Sequence, residues 1–286
     1  MVKAQRLFES EYSLNHFDGW PNKEIFSNKK FRDACHEAHN AVFWMSRGAN
    51  SFLTSTPENS HLRLFWHKES SNFRTKRFES DFQIGLNLPD LELYFCENGE
   101  KVPHSFWLDE KTPAFIEAWY LVELLHRDLD QSKFSTNLPF ESPAMLMGDT
   151  QDHNASDYQK ELEALNQCVV KSVKLLEKIS IARSQHRGLS FKQNEVVLEP
   201  ETFTIELEIF SEEKTGRVIK IGFNVGDHLR PTPFLFVKDI NQNRKSKNRS
   251  LDYLPESIHQ LTSISEDGTS DEKLAKELFE LAIAQT

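Results

Sequence analysis

Cysteine is scarce: Cys35, Cys96 and Cys168 are the only three in 286 residues, far apart and with no Cys-x-x-Cys pair. That excludes a disulfide framework and a zinc ribbon, and each thiol reads as a small buried hydrophobe in a reducing compartment. Long apolar runs are missing too. Ala41–Met45 and Ala118–Val122 are far too short to span a bilayer, and Met1–Ser13 has no apolar stretch of the signal-peptide kind. A cytoplasmic protein with no membrane partner is therefore expected. Basic charge is in deficit, with 34 Lys and Arg against 44 Asp and Glu, for a formal charge of -10. Such a balance repels phosphate backbones and anionic surfaces, so nucleic acid is an unlikely partner for the chain as a whole. No Gly-x-x-x-x-Gly-Lys loop and no Gly-x-Ser-x-Gly elbow occurs, and no motif identifies a cofactor.

What is present is aromatic. Hydrophobic residues reach only 38%, yet 22 Phe and 5 Trp let a core bury much apolar area from few side chains. The length is near two units. Residues 1–28 form a polar extension with a turn at Asp18-Gly19-Trp20-Pro21. A helix is predicted from Lys29, with Phe31, Cys35, Ala38, Val42 and Met45 as its apolar stripe and Gly48 as its C-cap. Strands follow: His61–His67, then Phe78, Ser80, Phe82, Ile84 and Leu86 on one face, then Leu91, Leu93 and Phe95. Asn98-Gly99 signals a tight hairpin into a return strand over Val102–Leu108. A helix then opens at Thr112-Pro113 with Phe115, Trp119, Val122 and Leu125 along its face.

Residues 131–155 read as a linker. Ser156–Gln159 is a capping-box candidate opening a long helix lined by Tyr158, Leu162, Leu165, Val169, Leu176 and Ile179, with Gly188 ending it. Phe203, Ile205, Leu207 and Ile209 then oppose Glu206 and Glu208, the pattern of a strand with one wet face. Strands at Val218–Phe223 and Phe234–Val237 and a last helix with Leu274, Leu278, Leu281 and Ile283 complete the chain. Helix, antiparallel strands, helix thus occurs twice, over 29–130 and 156–286. The expected fold is α+β, a pseudo-duplication of two helix–antiparallel sheet–helix halves in one body.

Three passages carry a likeness to a known family. They are Phe78-Glu79-Ser80-Asp81-Phe82 with Leu91-Glu92-Leu93, Asn98-Gly99 and Phe106-Trp107-Leu108; Asn137-Leu138-Pro139-Phe140 with His153–Tyr158; and Gly222-Phe223-Asn224 with Pro233–Val237. In their order and spacing the chain resembles an uncharacterised bacterial family known only as a domain of unknown function. The resemblance implies a single two-halved unit and supplies no functional residue.

Candidate chemistry is sparse. Cys35-His36-Glu37-Ala38-His39 places His36 and His39 one helical turn apart, where two imidazoles can share a metal with Glu37 or a distant Asp. The zincin spacing is i, i+4, so the second His comes one residue early, and the bland reading is a pair of histidines at a core edge. Asp152-His153, His186 and Asp227-His228 are acid–imidazole neighbours or lone histidines at loops and helix ends, where turn chemistry also places them. Gly222–Asp227 holds two glycines after a strand, but Pro231 and Pro233 replace the helix of a dinucleotide site, so a strand-end turn is expected. Lys238, Arg244, Lys245, Lys247 and Arg249 concentrate positive charge in a polar loop that can grip phosphate, RNA or an acidic partner, or simply be a solvated loop. Phe65, Trp66, Phe82, Phe95, Phe106 and Trp107 offer walls for an apolar pocket or, more simply, a core. Two functions fit. The first is a binding protein holding a protein partner or small ligand in a groove between the halves or at the basic loop. The second is a hydrolase-like enzyme with a site centred on His36 and His39.

Overall fold

The computed structural model describes residues 19–78, 81–141, 151–183, 189–190, 195–211, 218–227, 230–240, 257–260 and 270–285. Helix α1 (Lys29–Phe52) starts where the pattern places it, because the Asn28 side chain accepts from the Lys30 N–H (3.0 Å) and caps the first turn. Its stripe Phe31, Cys35, Ala38, Val42 and Met45 is buried. Gly48 does not end it. A β-carbon there would lie 2.2 Å from Ile84 Cδ1, so glycine is what lets the helix settle onto the sheet, and α1 runs on to Phe52.

The first strands are β1 (Leu64–His67), β2 (Asn72–Arg74), β3 (Phe82–Asn87), β4 (Glu92–Glu97), β5 (Glu100–Lys101) and β6 (Phe106–Trp107). Asn98 and Gly99 both take positive φ between β4 and β5, as the tight hairpin requires. The return segment pairs with β4 only in two short pieces, β5 and β6. After α2 (Pro113–His126), the chain runs along α1, where Arg47 donates to the Thr136 carbonyl (2.9 Å) and Asn50 to that of Asn137 (3.1 Å). The capping box at Ser156–Gln159 does not form. Ala155–Tyr158 make a 3-10 turn, the Ser156 N–H donates to Asp109 (2.9 Å), and α3 (Gln159–Arg183) begins at Gln159.

The second set is β7 (Leu189–Ser190), β8 (Val197–Glu199), β9 (Thr204–Ser211), β10 (Val218–Asn224), β11 (Phe234–Asp239) and β12 (Ser257–Gln260), followed by α4 (Asp271–Gln285). All twelve strands join one antiparallel sheet in the order β12-β11-β10-β9-β8-β1-β2-β3-β4-β5, with β6 on β4 and β7 on β9. The fold is α+β, and the two sheets expected are edge-joined into one: β1 pairs with β8, Leu64 opposite Leu198 and Phe65 opposite Val197. Helices α1, α3 and α4 cover one face, above Ile84, Ile205, Leu207, Ile221 and Val237. Lys171 donates to Asp271 (2.7 Å) and ties α3 to α4. No described helix is long and apolar enough to cross a membrane.

The other face of β9 is not wet. Glu206 is buried because the facing cations satisfy it: Lys220 pairs with Glu206 and, at 3.5 Å, with Glu208. Arg63, just before β1, pairs with Glu199, with Glu208 (2.9 Å) and more distantly with Glu206 (3.9 Å). Burial opposes the charge of Arg63, but Glu199, Glu208 and Glu206 outweigh it and hold its pKa up. Burial, then Glu206, pushes the Glu199 carboxyl up to about 7 against Arg63 and Lys220. A carboxylate raised in this way contributes stability below its ordinary range and loses that contribution as pH rises through about 7. Arg63→Ala strands these carboxylates, and a broken buried ion pair typically costs about 3–5 kcal/mol. Urea unfolding at pH 8 should show a loss of that order. The loss should shrink at pH 5, where Glu199 takes up its proton.

Candidate functional site

The structure separates the residues of the 35–39 cluster. His36 is exposed. The His39 ring turns inward, its Nε2 bonded to the Pro200 carbonyl (2.6 Å) and its face against Phe43 and Phe203. Burial, with His36 adding, lowers its pKa to about 4 against the pull of that carbonyl. Glu37 takes a third direction and accepts from Nδ1 of the buried His153 (2.6 Å). A step of roughly 100° turns Glu37 away from His36, and the roughly 60° between His36 and His39 is enough at the edge of the buried face to leave one outside and turn the other in. His39 and Glu37 thus pin α1 to the β8–β9 turn and to the linker, His36 stays at the surface, and the three do not converge.

The remaining candidates are dispersed. His153 pairs with Glu37 across the fold, while its sequence neighbour Asp152 is exposed. Asp227 is bonded to Arg230 in a strand-end turn where the Gly226 N–H donates to Asn224 (2.8 Å), as expected of that segment. His186 and His228 lie outside the described residues, as do Arg244, Lys245, Lys247 and Arg249. Lys238 stands on β11 beside Lys220, and burial first, then that neighbour, lowers its pKa. Of the aromatics proposed as pocket walls, Phe82 and Phe95 are core. Trp66 borders a cleft with Val42, Phe73, Leu86, Val169 and Leu198 whose volume is about 10 Å³, room for a single water.

The surface feature that stands out lies on α2. Apart from Tyr120, its only ionisable residues are Glu117, Glu123 and His126, so it is apolar on every side. A helix of that kind is normally enclosed. Here only one side is covered. Ile116, Trp119, Tyr120 and Leu124 are buried, with the Tyr120 hydroxyl donating to the Trp44 carbonyl (2.7 Å) and Trp119 against Phe95 and Phe106. Phe115, Val122 and Leu125 are 61%, 48% and 62% exposed, with Ala118 between them. Among the described residues they are three of the five large exposed hydrophobics, the others being Trp107 and Ile181. The expected face of Phe115, Trp119, Val122 and Leu125 is therefore wrong except at Trp119, because periodicity selects no side of a helix that is apolar all round.

At the end of α2 one polar group lies inside. Glu123 is 2% exposed, and Arg127 holds it, donating to its Oε2 (2.6 Å) and to its carbonyl (2.8 Å) while pairing with Glu97 (3.2 Å). Its Oε1 faces His104 Nδ1 at 3.8 Å and His126 Nδ1 at 3.7 Å. These three are the one group among the described residues with ligand atoms close enough to hold a metal ion, all within 4.8 Å. The sequence signal for part of this group was Glu123-Leu124-Leu125-His126, an i, i+3 pair on a helix. His104 arrives from a loop and carries no such signal.

Compared with known proteins, the chain matches no family model, no curated protein and no solved structure, so the site is read from its geometry alone.

The state of His39 is testable by pH. The unfolded chain binds a proton below about pH 6.5, and the native His39 does not until about pH 4, so stability falls as pH drops through that window. His39→Gln keeps a donor for Pro200 without the titration. The stability gap between wild type and variant should narrow from pH 7 to pH 5, read from urea midpoints; a constant gap would place the imidazole in water.

Proposed function

We propose that this chain is a non-catalytic protein-binding protein whose working surface is the outer face of α2, and that its partner presents an amphipathic helix with a basic rim. The exposure of Phe115, Val122 and Leu125 carries this reading. With Ala118 they repeat at i, i+3, i+7 and i+10, the spacing of a helix seam, and the small alanine leaves room for a partner's larger side chain. Apolar faces of this kind, rimmed by polar groups, mark interaction sites. The exposed acidic residues on α2 and next to it in the chain are Glu110, Glu117, Asp128 and Asp130, followed by the exposed Lys133. An acidic rim on a chain of net charge -10 favours a cationic partner and disfavours a second copy of itself.

The surface belongs to an architecture that we read as a duplication. Two meanders run outward from the β1–β8 pair, each with a helix before and after it in the chain. Both carry the same cross-strand device in the same place. Gly85 of β3 faces Tyr94 of β4, and Gly222 of β10 faces Phe236 of β11, and in each pair the aromatic ring occupies the space of the missing β-carbon. The two meanders meet by backbone pairing of β1 with β8.

A labelled peptide helix with leucine at its seam and lysine on its rim tests the reading by fluorescence anisotropy. Saturable binding is expected, weakened at least about tenfold by Phe115→Glu or Val122→Glu. Because these side chains are exposed, folded stability should change by no more than about 0.5 kcal/mol. Equal binding of a scrambled peptide, or indifference to both substitutions, would refute it. A dimer in sedimentation that Val122→Glu dissolves would put a second copy in the partner's place.

A further inference from the structure

His104, Glu123 and His126 form a site that the docking surface does not use. Each of the three is placed by something else. Glu123 and His126 share the last turns of α2. His104 sits between β5 and β6 in the left-handed region, φ 73°, and its carbonyl accepts from the Trp119 indole (3.0 Å), which fastens that loop to the same helix. The carboxylate is oriented as well, because Arg127 occupies Oε2 and leaves Oε1 turned to the two imidazoles.

The separations discriminate between two ways such groups can meet. At 3.7 and 3.8 Å, Oε1 is too far from either Nδ1 for a hydrogen bond. A tetrahedral cation with ligand bonds of about 2.0–2.1 Å sets its ligand atoms about 3.4 Å apart, so each imidazole needs only a few tenths of an ångström of closure towards Oε1. The two exposed rings, whose ligand atoms lie within 4.8 Å, turn towards each other to share one ion. Local charge points the same way. Glu97 and Glu123 flank the single Arg127 and leave one negative charge over beside two nitrogen donors. We propose that His104, Glu123 and His126 bind a divalent cation of the zinc class. Two imidazoles and one carboxylate suit such an ion, and the exposure of both histidines leaves its remaining positions open to water. The bound ion staples the β5–β6 loop to α2 and so stiffens the helix that carries the exposed face. The site stands independently of what docks there.

Competition for Zn²⁺ between the full chain and a chromophoric chelator tests this, with melting curves alongside. One ion per chain is expected. His104→Ala and His126→Ala should each weaken binding at least about tenfold, whereas His36→Ala should leave it unchanged. Both substituted side chains are exposed, so these variants stay folded where a change at buried Glu123 need not. Zinc should raise the melting temperature of the wild type and not that of the His104→Ala/His126→Ala chain. Stoichiometric binding that survives in the double variant, or binding weaker than about 100 µM in the wild type, would overturn the assignment.

Discussion

Arg63 stands one residue before β1 and reaches carboxylates of β8 and β9, which lie more than a hundred residues further along the chain. Beside it, Leu64 and Phe65 pair with Leu198 and Val197. The junction is narrow in backbone terms, and the ion network on the outer face adds what two pairs of residues alone do not. A charge buried with three carboxylates is costly to strand, so the network specifies which strand β1 accepts as its neighbour. Everything else is arranged outward from there. One meander carries β3 under α1, and the other carries β10 and β11 under α3 and α4. Helix α2 stands near the end of the first meander, where only one of its sides finds cover.

That geography explains how the molecule combines a closed interior with an apolar exterior. The core is continuous from Phe26 to Ala282, and the cleft between the sheet and helices α1 and α3 admits no more than a water. Small-molecule sites need concavity, which a cleft of that size does not supply. What the described residues offer is a helix face at the surface and, at its end, a carboxylate held in place between two histidines. The two features share α2, so an ion at the one bears on the rigidity of the other.

Local pattern made much of the fold legible. Where apolar and polar residues separate cleanly, as along α1, the stripe Phe31–Met45 names the buried side, and Asn98-Gly99 names its turn. Pattern failed where tertiary partners changed the meaning of a residue. Gly48 reads as a helix end until Ile84 is seen beneath it. Glu206 reads as solvated until Lys220 and Arg63 satisfy it. Helix α2 could not name its own face. The site was harder still. His36 and His39 are neighbours in sequence and diverge in space, while His104 meets Glu123 and His126 only because Trp119 holds the loop that bears it. A group assembled from a loop and a helix shows in sequence only its helical half, Glu123 and His126 at i and i+3.

The claim on which the functional account rests is that the outer side of α2 is open in the free protein. Hydroxyl-radical footprinting with mass spectrometry measures this directly, residue by residue. The account predicts fast oxidation of Phe115, Val122 and Leu125 and protection of Ile116, Tyr120 and Leu124 on the same helix. Equal protection of both sets would mean that the face is already covered in the isolated protein, and would contradict its role as a surface awaiting a partner.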